Sequence, residues 1–130
     1  VTRFIDTNIL VYAREDHWKA VIAQSVILQG GVISVQVLNE FTNVLRGKLR
    51  RNWPEIEAAV ADLAIVFPPA RALTTRTHRA ALEISRDVGY AFYDALILAS
   101  ALEAGCTELV SEDMQHGRAI GSLTIRNPFV

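Results

Sequence analysis

The stretch Tyr90-Ala91-Phe92-Tyr93-Asp94-Ala95-Leu96-Ile97-Leu98-Ala99-Ser100-Ala101-Leu102 decides how the chain is read. After Tyr93 a helical projection of it is apolar on every side, which in a water-soluble protein marks a central helix packed against other elements all round. One full charge interrupts it, at Asp94, and no Lys or Arg lies within helical reach. A carboxylate carried into a dry core without a partner costs several kcal/mol or takes up a proton. A first-turn position lets the helix dipole return only about 0.3–1 kcal/mol of that. Asp94 is therefore either a simple cap facing a surface crevice or one member of a charged site that something else balances. The other acidic positions bear on that choice.

Outward from this helix the chain alternates short apolar runs with helical patterns. Arg3-Phe4-Ile5 reads as a strand ending at Asp6, followed by a tight turn and a short helix from Thr7. His17 to Leu28 reads as a helix stopped by Gly30-Gly31, and Val32-Ile33 as a brief buried parallel strand. Ser34 caps a long helix through Arg46 or beyond, whose apolar set Val37, Phe41, Val44 and Leu45 repeats at three- and four-residue steps. Glu40 falls in that register, so it points to the core side. Pro54 opens the next helix, Pro68-Pro69 breaks it, and Ala70 to Leu73 is a short strand or loop. A helix from Thr75 or Thr77 through Val88 ends at Gly89. After the central helix, Gly105 stops the turn, Glu108-Leu109-Val110 forms a strand with Ser111-Glu112-Asp113 at its carboxyl end, and Leu123-Thr124-Ile125 is a last strand beyond a polar loop around His116 and Gly117. Strands alternating with helices predict an α/β domain, an open parallel sheet with helices on both faces.

Composition narrows the class. The 130 residues are one domain by size, 51% hydrophobic and 21% charged, enough for a proper core and unlike a disordered chain. A formal net charge of −1 excludes a general polyanion binder, so any nucleic acid must meet a local basic patch. The single cysteine, Cys106, excludes an internal disulfide framework and a cysteine zinc cage and fits a reducing cytosol. Neither a signal peptide nor an uncharged run near the ~20 residues of a membrane span is present, so a soluble, cytoplasmic protein is expected. The sequence begins at Val1 without Met, and an initiator or a few more residues are expected before it.

In open α/β sheets ligands gather outside the carboxyl ends of the strands. Asp6 and Asp113 stand at such ends, Asp94 in a helix first turn, and Glu40 on the core face of its helix. Four carboxylates sharing one crevice cannot all stay ionised unaided. A divalent cation relieves them, and an all-oxygen set without Cys or paired His favours Mg²⁺ or Mn²⁺ over zinc. Mg²⁺ keeps several waters and takes one or two direct carboxylates. Such a site suits in-line attack of a metal-activated water on a phosphodiester.

The segments Phe4-Ile5-Asp6-Thr7-Asn8-Ile9-Leu10, Leu38-Asn39-Glu40-Phe41, Phe92-Tyr93-Asp94-Ala95-Leu96-Ile97 and Leu109-Val110-Ser111-Glu112-Asp113-Met114 resemble the successive motifs of the PIN domain, and more narrowly of VapC-type toxins of bacterial toxin-antitoxin pairs. The resemblance spans the chain and rests on four acids in order, each in its own local setting. It implies a three-layer PIN-like fold over residues 1–130, with a central parallel sheet flanked by helices. It also implies a Mg²⁺- or Mn²⁺-dependent endoribonuclease with Asp6, Glu40, Asp94 and Asp113 as metal-binding and catalytic acids. Asn8 and Ser111 match the polar residues that orient those acids, with Ser111 where Thr is more frequent. Some relatives carry a further acid after the fourth; here that stretch is Gln115-His116-Gly117, which leaves the number of metal ions open. The family implies an RNA substrate, a homodimer and a cognate antitoxin that blocks the cleft.

Other readings differ at identifiable residues. A phosphatase of the haloacid dehalogenase type would use Asp6 as nucleophile and expects an Asp two residues on, where this chain has Asn8. A receiver domain wants adjacent acids after its first strand, and only Asp6 is present. A non-catalytic adaptor of the same fold would keep the acids for stability alone. The basic run Arg46, Lys48, Arg50 and Arg51 reads equally as cations at a helix C-terminus or as RNA-steering groups. His116, near Asp113, is a candidate phosphate contact, and His17 an ordinary polar turn residue.

Overall fold

Three short strands bring the whole molecule into register. In the computed structural model, which describes residues 2–130, β1 (Arg3–Ile5) pairs in parallel with β2 (Glu108–Val110), and β2 in parallel with β4 (Leu123–Arg126). The register stacks Phe4 beside Leu109 and Leu109 beside Ile125, all three fully buried, because both faces of a parallel sheet are covered and its strands are apolar throughout. A fourth strand, β3 (Ala119–Ile120), adds antiparallel to β4, giving the order β1-β2-β4-β3. Two residues are too few to show a period of two, so this edge strand has no signature in the sequence.

Six helices flank the sheet: α1 (Thr7–Tyr12), α2 (Ala20–Leu28), α3 (Val35–Asn43), α4 (Trp53–Val66), α5 (Thr75–Val88) and α6 (Phe92–Glu103). The predicted α/β architecture, a parallel central sheet flanked by helices, is observed, with β3 added antiparallel at one edge. Local chemistry sets the starts. Ser34 accepts from the Val37 N–H at α3, Asn52 and Glu55 form a capping box at α4, and Thr74 with Thr77 forms another at α5. Gly89, at φ +89, ends α5 in the left-handed conformation that side-chain-bearing residues resist.

Two predicted elements differ in extent. The helix foreseen from His17 begins at Ala20, with His17 to Lys19 forming a turn held by the Lys19 N–H on His17 Nδ1. Val32-Ile33 makes single parallel bridges, Val32 with Phe4 and Ser34 with Arg71, and no full strand. The Gly30-Gly31 stop and the Ser34 cap leave only two residues between them, too few for a ladder. Gly31 is nonetheless essential to this edge, since a Cβ there would lie 2.8 Å from Ile5 Cγ1 and 3.1 Å from the Arg3 carbonyl.

Helix α6 is central as predicted: every residue from Ala95 to Ala101 is buried. Leu98 and Ile97 join the main core with Phe4, Phe41 and Leu109, while Ala95, Leu96 and Ala99 meet Ala81 of α5 in a second, small-residue cluster that lets the two helices approach closely. Each large side chain fully removed from water is worth about 1.5–3 kcal/mol. Helix α3 also passes into a π-helical turn, Val44–Lys48, before the chain reverses at Arg50, φ +54. Single π turns inserted in helices are frequent at functional sites.

Candidate functional site

The carboxyl ends of β1 and β2 lie side by side, and that adjacency starts the site. Asp6 follows β1 directly, and its N–H bonds the Val110 carbonyl of β2 at 3.0 Å. Its side chain caps α1: Oδ1 accepts from the Thr7 N–H and Oδ2 from the Ser111 hydroxyl, both at 2.7 Å. Ser111, fully buried after β2, accepts in turn from the Asp113 N–H at 3.2 Å. One hydroxyl thus orients two acids. Asp113 is also held through its side chain, where the Asn8 amide donates to Oδ2. Asn8 and Ser111 thus hydrogen-bond the carboxylates of Asp113 and Asp6.

Glu40 reaches the same place from the middle of α3. Its Oε1 accepts from the Thr7 hydroxyl at 2.7 Å and its Oε2 from the Gln36 amide, one turn earlier, at 3.3 Å. Asp94 arrives in the first turn of α6, half-buried. Asp6, Glu40, Asp94 and Asp113 together line one hollow of about 600 Å³ with Thr7, Asn8, Gln36, Asn39, Asn43, Val44 and Tyr93. Among the described residues, no Lys, Arg or His is in that lining.

The electrostatics follow from this. Burial drives the Asp6 carboxyl up from 3.8 to about 6, the Ser111 and Thr7 donors hold it down in part, and the charges of Glu40 and Asp113 add to the rise. Asp94 is raised for the same reasons, burial first and then Glu40 and Asp113. Residues separated by most of the chain therefore share one field. Asp6 is only 4% exposed with both oxygens hydrogen-bonded, a poor position for the attacking group of a phosphatase.

The candidate cationic residues are elsewhere. Arg51 pairs with Glu15 at 3.2 Å and lines a different hollow with Arg14 and Glu55. Arg46 stacks on the Trp53 ring, 4.6 Å from its centroid, and donates to the Arg51 carbonyl. Lys48 and Arg50 are exposed beside them. His116 accepts the Asn127 N–H on Nδ1 and staples a turn. None of the five lines the acidic hollow. The lining residues that sequence reading overlooked are Thr7, Gln36, Asn39, Asn43 and Tyr93. A signal existed for the α3 set, since positions 36, 39, 40 and 43 fall on one helical face, but amides on a helix look like ordinary surface until the face is known to be enclosed.

The sequence pattern of the PIN domain family matches residues 3–120. The chain belongs to the PIN domain family. As a PIN domain it is similar in structure to VapC20 of Mycobacterium tuberculosis, described as a sarcin-ricin loop cleaving toxin (TM-score 0.69, 21% identity, 86% of this chain and 92% of that one). It is also similar to a toxin-antitoxin complex from Klebsiella pneumoniae (TM-score 0.76, 16% identity, 98% of each chain). VapBC2 of Rickettsia felis, bound to a DNA fragment from its promoter, is a third (TM-score 0.70, 16% identity, 98% of each chain). Its structural neighbours are thus VapC and toxin-antitoxin structures, and at these identities the likeness is one of fold. No curated protein sequence matches the chain.

The donors of this PIN domain fit a hard divalent cation: they are all oxygen, all acidic, and have no cation of the protein among them. Among the described residues no three acidic, His or Cys side chains are drawn together as a ready-made cage. No helix among the described residues is long and apolar enough to cross a membrane.

Proposed function

We propose that this PIN domain is the toxin of a toxin-antitoxin pair and cuts RNA as a divalent-metal-dependent endoribonuclease. The observation that carries the reading is the meeting of Asp6, Glu40, Asp94 and Asp113, from four separate parts of the chain, in one hollow without a protein cation. Burial first, and then the charges of Glu40 and Asp113, raise the Asp6 and Asp94 carboxyls, so the cluster is costly by itself. It becomes favourable around Mg²⁺ or Mn²⁺. When bound, the ion supplies a water of lowered pKa and positive charge against the leaving oxygen of a phosphodiester.

The protein's own part is placement. Ser111 and the Thr7 N–H lock the rotamer of Asp6, and Thr7 and Gln36 hold both oxygens of Glu40. Asn8 and the Ser111 hydroxyl hold Asp113. All these donors are neutral, so they orient the acids and leave their negative charge for the ion. The VapC20, Klebsiella and Rickettsia structures support the toxin assignment, a cognate antitoxin partner and RNA as substrate; a homodimer and a cytoplasmic location complete the reading.

The test is cleavage of a mixed cellular RNA pool with Mg²⁺, Mn²⁺ or EDTA, mapping the product ends. Cleavage with either ion and none with EDTA is expected. Asp94→Asn should lower the rate more than about 100-fold, beyond what loss of a ligand-supporting group costs, with its circular dichroism spectrum unchanged. Equal cleavage by Asp94→Asn and the parent would overturn the mechanism and leave the adaptor reading standing.

A further inference from the structure

The hollow that holds four carboxylates has no Lys or Arg in its lining. A polyanion entering it finds no protein cation to grip there, so inside the hollow, beyond the metal-held phosphate, the substrate meets neutral groups. Three such groups are at the rim. Tyr93, directly before Asp94, is 64% exposed although it lines the hollow. Asn39 and Asn43 are exposed on the same face of α3 as Glu40. Gln36, the fourth polar residue of that face, is buried and committed to Glu40. The division of labour is clear in the burial: the inner amide positions the acid, and the outer two are left to the ligand.

We infer that Tyr93, Asn39 and Asn43 form a base-reading wall that takes an unpaired base beside the scissile phosphate. This rests on the ribonuclease reading and adds the chemistry of selection to it. An exposed aromatic face stacks on a splayed-out base, and single-stranded RNA offers such bases where a duplex does not. A carboxamide presents one donor and one acceptor in a plane, which matches the paired donor and acceptor that each base offers on its Watson–Crick edge once unpaired, in an arrangement that differs from base to base. The two asparagines stand four residues apart, about one helical turn, and Asn39 adjoins Glu40. The base read is therefore a near neighbour of the bond cut.

The experiment uses a library of RNA hairpins with a randomised single-stranded loop. Products are sequenced after cleavage with Mg²⁺, and affinity is measured by fluorescence anisotropy of a labelled loop hairpin on the Asp94→Asn protein. Enrichment of particular bases at one position flanking the cut is expected. Asn39→Ala and Asn43→Ala should flatten that enrichment, Tyr93→Ala should weaken binding roughly tenfold, and Tyr93→Phe should bind like the parent, because the stack needs the ring and not the hydroxyl. The slope of affinity against salt should be the same with Tyr93→Ala, since no phosphate contact is lost. A cut-site profile unchanged in all three alanine variants, or a Tyr93→Ala protein that binds as tightly as its parent, overturns the base-reading wall while leaving the ribonuclease intact. A parent protein that cuts no RNA overturns both.

Discussion

Asp6 carries the largest electrostatic penalty at the site and shows how it is managed. Its carboxyl is raised from 3.8 to about 6 by burial, against the pull of two donors. A raised carboxyl means that the folded state holds its proton more tightly than the unfolded chain. The associated stabilisation is complete below pH 3.8 and is lost as pH climbs through about 6, a change of about 3 kcal/mol at most. In EDTA, Asp6→Asn should therefore be more stable than the parent at pH 7, with the gap closing toward pH 4, as urea unfolding at several pH values will show. A gap that is flat with pH would show that the Asp6 carboxylate is not strained. Adding Mg²⁺ should stabilise the parent and not the variant. Much of this residue-scale logic is legible in the sequence, because Asp6, Asp94 and Asp113 each stand at the end of a strand or start of a helix. The partnership of Gln36 and Thr7 with Glu40 is not, since it depends on α1 and α3 meeting.

At the scale of elements, the chain relies on close approach at the edge of the sheet. Gly31 leaves room for Ile5 and the Arg3 carbonyl, and the Ile5 N–H and Val32 carbonyl bond across it at 3.0 Å. Gly31→Ala should cost about 1–3 kcal/mol of overpacking strain, read as a fall in the urea midpoint. It should also lower cleavage, because β1 carries Asp6. A midpoint unchanged from the parent would mean that the edge can shift by several tenths of an ångström without penalty. The helices were readable from their caps and periodicities, and α6 from its uninterrupted apolar run. The π turn after α3 and the edge strand β3 were not. A π turn differs from an α turn by one hydrogen-bond step and leaves no residue pattern, and a two-residue strand is defined by its partner.

Across the whole molecule, the acidic hollow and the basic run are kept apart. The hollow is lined by acids, whereas Arg46, Lys48, Arg50 and Arg51 sit at and after the end of the α3 π turn, two of them engaged with Trp53 and Glu15. If this cluster steers RNA, the exposed pair does so: Lys48→Ala and Arg50→Ala should each flatten the salt dependence of RNA binding by about one unit of slope. Arg51→Ala should lower stability through its lost ion pair and leave the slope alone. Equal slopes in all three variants would assign the cluster to helix termination only. The sequence by itself determined the class of fold and the central place of α6, and it singled out four acids as candidates, because burial periodicity and the ends of strands are local properties of the chain. Only the tertiary structure decided that those acids share one hollow, that the basic run stays out of it, and that neutral amides and an exposed ring complete its wall. Those are relations between elements far apart in sequence, and the packing of α1, α3 and α6 at the ends of β1 and β2 alone sets them.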